Sequence, residues 1–160
     1  MKKTMYLIVS IMALLVILIL TGKKSVHSEI TINANSEKVW EVLTDMKTYP
    51  EWNPTMQLIE GDVKEGGKVT YQFTQDANTV SNIGAKVLEI IPNQLLNQKG
   101  GIPAVLTFNH KYILEPAGAT TVVTIHEDYK GIGVHFWNPE PVEKAYQRLN
   151  KALKTRVEAK

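Results

Sequence analysis

Hydrophobic and polar positions follow three patterns in turn along this chain. The first is continuous. From Met5 to Leu20 the only polar residue is Ser10, and Thr21 and Gly22 carry the run to Lys23 and Lys24. The second alternates. Val26, Ser28, Ile30 and Ile32 share one parity, and His27, Glu29 and Thr31 the other, which predicts a half-buried strand over Ser25–Asn33. The third has helical spacing. Asn35 is placed to cap a helix whose apolar stripe is Val39, Trp40 and Leu43. In Asp45–Pro54 that follows, Pro50 and Pro54 leave room only for a short helical turn, which Tyr49 and Trp52 would pin to the core.

From Met56 to about Gly131 the pattern is that of strands. Met56–Glu60 and Lys68–Thr74 flank the hairpin-like connection Val63–Gly67. Ser81–Ile91 ends at Pro92-Asn93, and Leu95–Lys99 is short and ends at Gly100-Gly101, read as a turn like Gly66-Gly67. Ala104–Leu114 turns through Glu115–Gly118 into Thr120–Lys130, which is rich in β-branched residues. Short turns between successive strands imply antiparallel pairing. A long helix closes the chain. Asn138 is its expected N-cap and Pro139 its first residue, with Glu140 and Glu143 favouring the positive end of the dipole. Val142, Ala145, Tyr146, Leu149, Ala152, Leu153 and Val157 line one of its faces. The sheet is the only partner large enough for that face. The fold class is therefore α+β, an antiparallel sheet curved around a C-terminal helix, with a space between the two layers.

The continuous run divides the chain into residues 1–24 and a domain over 25–160. The 18 residues from Met5 to Gly22 make roughly 27 Å of helix, close to the thickness of a hydrocarbon core. A cleaved signal peptide would share the basic start and apolar middle, but no small-x-small pair precedes Lys23, because Leu20 stands two residues before Gly22. An uncleaved single-pass anchor through residues 5–22 is the favoured reading. Lys2 and Lys3 against Lys23 and Lys24 leave its orientation open, with an extracytoplasmic domain preferred.

Charge changes meaning once the segments are separated. The whole chain has a net charge of +2, but Lys2, Lys3, Lys23 and Lys24 supply four of its 18 basic residues. From Ser25 onward, 14 basic residues face 16 acidic ones, a net of −2, so nucleic acid is not an expected partner. The chain has no cysteine, which excludes disulfides, thiolate metal sites and a thiol nucleophile. The histidines at 27, 110, 126 and 135 have no metal-ligand spacing, and no phosphate-binding loop, dinucleotide fingerprint or Gly-x-Ser-x-Gly is present. Neither a metal nor a cofactor is expected.

The stretch Glu29–Asp45, with Ala34 after the strand and Val39-Trp40 on the helix, resembles the opening of the START/Bet v 1-like superfamily. Tyr49-Pro50-Glu51-Trp52-Asn53-Pro54 resembles the next segment of its SRPBCC, polyketide cyclase/dehydrase branch. The hairpin Glu60–Lys68, Leu114-Glu115-Pro116, Thr120-Thr121, Gly131 and the helix end Leu149–Arg156 recur in the order of that family. The resemblance covers residues 25–160. It implies a helix-grip fold with an apolar cavity, in a family that binds lipids, sterols and polyketides and includes cyclases and dehydratases. These motifs are structural and carry no substrate.

Alternation proposes the lining of that cavity. Phe108, His110, Tyr112 and Leu114 share a parity on one strand, and Val123, Ile125, Glu127 and Tyr129 on the next. If both sets point inward, His110 and Glu127 meet as a buried proton-transfer pair, or as polar groups that orient a ligand. Tyr71 and Phe73 share a parity and are expected in the same lining or in plain core packing, while His126 and Asp128 take the opposite, solvent face. Ile132–Trp137 reads either as a mobile lip over the cavity or as a strand end packed on the helix. Three functions follow. The preferred one is a membrane-tethered binding module for a hydrophobic small molecule or lipid, with Tyr71, Phe73, Phe108, His110, Tyr112, Glu127 and Tyr129 as ligand contacts. The alternatives are a cyclase/dehydratase-type enzyme using His110 and Glu127, and a protein-interaction module with a filled core.

Overall fold

In the computed structural model, which describes residues 2–159, one sheet and four α-helices account for most of the chain. Helix α1 (Lys2–Thr21) leads directly into strand β1 (Lys23–Ile32). Helix α2 (Ser36–Thr44) and the one-turn helix α3 (Tyr49–Trp52), joined by a 3₁₀ turn at Met46–Thr48, come next. The remaining strands are β2 (Met56–Gly61), β3 (Lys68–Asp76), β4 (Thr79–Ile91), β5 (Leu95–Ile102), β6 (Leu106–Ala117) and β7 (Thr120–Lys130). A 3₁₀ turn at Ile132–Phe136 precedes helix α4 (Glu140–Glu158). The seven strands lie in the order β1-β7-β6-β5-β4-β3-β2, every pair antiparallel. Strands β2 to β7 form an uninterrupted meander, and β1 adds to its far edge beside β7.

Register places the apolar parity of every strand on one face. Val26, Val123, Leu114, Leu96, Val87 and Val69 are all buried there, in one core with Val142, Ala145, Leu149, Leu153 and Val157 of α4. Register shifts at Leu58/Glu60, Thr74/Asp76 and Val87/Glu89 interrupt the three pairings farthest from β1, and such bulges bend and twist a sheet. Asn35 caps α2 as expected, its side chain accepting the Lys38 N–H at 2.9 Å. The buried stripe of α2 is Val39, Val42 and Leu43; Trp40 is only half-buried. Tyr49 is fully buried, donates to the Leu43 carbonyl at 2.5 Å and meets Trp52 edge to face, so this pair does hold the short turn.

Several boundaries differ from those expected. Strand β1 starts at Lys23, with only Gly22 between it and α1. Gly100-Gly101 is not a turn but the end of β5, where Gly100 pairs with Phe108. A Cβ at Gly100 would collide with the Phe108 ring, so the glycine is what lets that ring lie across the neighbouring strand. Strand β6 begins two residues late, at Leu106, and runs on to Ala117 because Pro116 sits at its end, next to the turn. Helix α4 begins at Glu140 with Pro139 in the N-cap position, and Asn138 still accepts the Glu140 N–H at 3.1 Å. Ile132–Phe136 is a 3₁₀ turn rather than a strand end.

Helix α1 has no buried residue and a mean hydropathy of 2.6 over an 18-residue window. Its length and composition suit a membrane span or a signal sequence. Its joint with the domain is tight. The Gly131 N–H donates to the Gly22 carbonyl at 3.0 Å, and a Cβ at Gly22 would collide with the Gly131 carbonyl oxygen. Gly131 itself takes φ +125°, a conformation open to glycine and strained for other residues.

Asn150 sets where α4 lies on β1. Its buried side-chain amide donates to the Ser28 carbonyl at 3.1 Å and the Ser28 hydroxyl at 3.0 Å. Asn150→Ala removes both bonds, at an expected cost of about 2 kcal/mol. Thermal unfolding of the full chain in mild detergent, followed by circular dichroism, should show a lowered midpoint. An unchanged midpoint would show that Asn150 is not what seats the helix.

Candidate functional site

Cross-strand pairing assembles a polar row on the inner face of the sheet. On β6 and β7, His110 stands opposite Glu127 and Phe108 opposite Tyr129. On β5, Gln98 stands opposite His110. Tyr71 on β3 then accepts a hydrogen bond from the Gln98 amide at 3.0 Å. All these side chains except Phe108, which is half-buried, are buried under α4 and its neighbours.

Glu127 is the centre of the row, 3% exposed. One of its oxygens, Oε2, accepts from the Tyr129 hydroxyl at 2.6 Å and from the Tyr146 hydroxyl on α4 in a very short contact. The same oxygen lies 3.7 Å from His110 Nδ1, within ion-pair range but too long for a hydrogen bond. Burial alone would push this carboxyl's pKa up. The His110 ring and the two tyrosine hydroxyls outweigh burial and hold it below the usual carboxylate range. Glu127 is therefore an anion at neutral pH. The tyrosines move the other way: burial, reinforced by the Glu127 charge, raises Tyr146, Tyr129 and Tyr112, and burial takes Tyr71 to about 12. They stay protonated as donors. The His110 ring is held edge-on between Tyr112, 4.6 Å away by centroids, and Tyr146, 5.2 Å away, and its Nε2 is buried with no hydrogen-bond partner.

Two neighbouring spaces with shared lining residues adjoin this cluster. An inner chamber of about 30 Å³ is bounded by Tyr71, Gln98, His110, Glu127 and the apolar Met56 and Ala85, room for no more than a water molecule or two. Outside it lies a groove of about 480 Å³, within the roughly 300–1,000 Å³ of small-molecule sites. Phe73, Ile83, Phe108, Glu127 and Tyr146 line both and form the partition between them. The outer groove is mainly apolar. Ile102, Val105 and Leu106 line one side, and Trp137, Val142 and Tyr129 the other. Tyr129 and Trp137 stack at a tilt, 4.3 Å between centroids.

The structure thus gathers Tyr71, Phe73, Phe108, His110, Glu127 and Tyr129 around these spaces. Tyr112 is the exception: it is 1% exposed, sits behind the His110 ring and donates to Met56 Sδ at 3.9 Å, so it borders neither space. Parity put Tyr112 on the correct face, but His110 stands between it and the opening. His126 and Asp128 lie on the outer face, 3.2 Å apart, with His27 across the strand pair. The sequence reading passed over Tyr146, Gln98 and Met56 as site residues, and Trp137 entered it only as the end of the Ile132–Trp137 lip. Tyr146 had a signal: a phenol on the apolar stripe of a helix must find a partner for its hydroxyl when buried. Gln98 had a weaker one, a polar residue sharing parity with the apolar Leu96.

A depressed carboxyl pKa in the folded state ties stability to pH. The unfolded chain takes up its proton at about the ordinary value of 4.5, and the folded chain only below that. The contribution of Glu127 is therefore complete above pH ~4.5 and is lost as pH falls through the folded value. Glu127→Gln should lower stability at pH 7 and flatten its decline below pH ~4.5, as read from denaturant midpoints across pH. An identical pH profile in the variant would count against an ionised Glu127.

Comparison with known proteins places these features in context. A family model described as polyketide cyclase / dehydrase and lipid transport matches residues 23–158. No curated protein matches the chain by sequence. Among solved structures, the Zhui aromatase/cyclase from Streptomyces sp. R1128 superposes with a TM-score of 0.67 at 15% identity, over 85% of this chain and 94% of that one. Norcoclaurine synthase from Thalictrum flavum gives 0.66 at 15% identity, over 86% and 88%. The major latex-like protein 151 from Panax ginseng gives 0.69 at 13% identity, over 84% and 97%. At these identities the superpositions show a shared helix-grip fold. With the family model covering nearly the whole domain, the chain belongs to the polyketide cyclase/dehydrase and lipid transport family.

Proposed function

We propose that this protein is a membrane-tethered binding module for a hydrophobic small molecule or lipid with a hydrogen-bonding end. The observation that carries this reading is the apolar outer groove, whose floor holds a buried anion and two tyrosine hydroxyls. An apolar body would fill the groove between Leu106, Phe108, Trp137 and Val142. Its polar end would reach Glu127 and Tyr129, where the carboxylate favours a hydroxyl or amine donor over another anion. Helix α1 supports the tether: it is long and apolar enough to span, and it runs into β1 with no flexible linker.

Cyclase or dehydratase chemistry is the second reading. One observation favours it: His110 Nε2 is buried, unpartnered and at the wall of the inner chamber, so it is free to exchange a proton with a bound group. The small chamber limits that reading to a substrate that projects only a hydroxyl or carbonyl past Phe108.

Strand β1 begins at Lys23 and the core closes within residues 23–158, so residues 23–160 are a suitable unit for native mass spectrometry without detergent. A reproducible extra mass, lost on denaturation, is expected. Leu106→Trp, which fills the groove from its half-buried rim, should weaken retention about tenfold, ~1.4 kcal/mol. A bare protein mass that stays bare after incubation with fatty acids and aromatic polyketides would sink the binding reading.

The enzymatic reading predicts a different result. Wild-type protein should convert a bound polyketide to a product lighter by one water, and His110→Gln should retain the polyketide unconverted. Release of unaltered polyketide from the wild type would remove the basis for catalysis.

A further inference from the structure

The groove opens at the end of the domain where α1 enters. Lys23 pairs with Lys130 at the start of β1, and β5 ends at Ile102 beside the beginning of β6 at Leu106. The 3₁₀ turn Ile132–Phe136 binds these parts together. Ile132 donates to the Ala104 carbonyl at 3.0 Å and Gly133 to the Val105 carbonyl at 2.8 Å. On its other side His135 Nε2 lies 2.9 Å from the Leu18 carbonyl oxygen and 3.4 Å from the Thr21 hydroxyl. The Lys24 ammonium donates to the Trp137 carbonyl at 2.5 Å.

These contacts fix a depth. His135 sits beside Leu18, inside the apolar run, and the helix continues through Thr21 before the lysines at 23 and 24. A helical turn is about 5.4 Å, so the 3₁₀ turn lies level with the last turn of α1 rather than above it. The side chains there suit such a depth. Phe136 is 83% exposed, Ile102 65% and Val105 48%, and Ile102 and Val105 also form the rim of the groove. An exposed apolar rim on a water-facing surface would be a liability; at the end of a membrane helix it has a partner.

We infer that the mouth of the groove is seated on the bilayer that α1 spans, with Phe136, Ile102 and Val105 in its interfacial layer, so that the groove opens onto the leaflet. This rests on the reading of α1 as an uncleaved membrane span. The tight Gly22–Gly131 joint and the 3₁₀ turn hold the rim at that level. A ligand of the groove would then pass between protein and leaflet without crossing bulk water.

The absence of cysteine makes the test direct, since single cysteines can be introduced without background. The full chain is reconstituted in phosphatidylcholine vesicles carrying lipid spin-labelled at an upper acyl carbon. An environment-sensitive fluorophore is attached at Phe136→Cys, or at Ala119→Cys in the β6–β7 turn at the opposite end of the sheet. The expected result is a blue-shifted emission quenched several-fold more at position 136 than at 119, with both variants floating with the vesicles after alkaline carbonate. Equal, weak quenching at the two positions in chains that do float would overturn the seating and leave the tether intact. Release of both chains by carbonate would overturn the tether, and the seating with it. Ile102→Cys gives the same comparison where the Phe136 substitution disturbs the turn.

Discussion

Among the described residues helix α4 is the one long helix packed on the inner face of a seven-stranded sheet, and that constraint shapes everything else. One helix is about 10 Å wide, whereas seven strands at about 4.8 Å spacing are about three times that. Its apolar stripe packs chiefly on β1, with further contact to β3 across the curved sheet and to α2, which itself packs on β6 and β7. Over β4–β6 the helix leaves the sheet partly uncovered at the end where α1 joins. Side chains of Phe73, Phe108 and Tyr146 fill the space in part, and what they leave is the groove. A cavity here is a geometric residue of the layer arrangement.

A carboxylate survives beneath this helix because it is partnered rather than because it is solvated. An unpaired buried charge is costly, and Glu127 is tolerated because three elements converge on it: Tyr129 from its own strand, His110 from the next strand and Tyr146 from α4. Among the described residues it is the Tyr146 hydroxyl that hydrogen-bonds the helix to this polar row. It ties the position of α4 to the charge state of the site, so packing and chemistry are coupled at a single phenol. A ligand that competes for Glu127 would act on the same contact.

Element type was legible wherever one face of an element meets solvent. Alternation along β6 and β7 put His110 and Glu127 on one face, and the register then set them opposite each other. The three-to-four-residue spacing of α4 identified the helix and its buried stripe. Legibility failed where a residue's surroundings come from a distant segment. Gly100-Gly101 has the composition of a turn, yet it is strand, paired with Phe108 and Thr107, and glycine fits at 100 because the Gly84 carbonyl oxygen and the Phe108 ring both crowd the place of a Cβ. Tyr112 has the parity of a cavity residue and is nonetheless sealed off by His110. Asn150, a polar residue next to an apolar stripe, gave no hint that Ser28 was waiting for it.

By itself, then, the amino-acid sequence determined the apolar N-terminal run, the order and type of the elements and the inward parity of β1, β3, β6 and β7. These depend on local periodicity, which a chain carries within a few residues. Tertiary structure alone decided which oxygen of Glu127 receives the tyrosines, that the space divides into a small chamber and a larger groove, and that the groove mouth lies beside the end of α1. Those properties depend on groups brought together from segments that lie from 19 to 117 residues apart, and on the volume left unfilled between them. Packing density and distance set them, and neither is written in a local pattern.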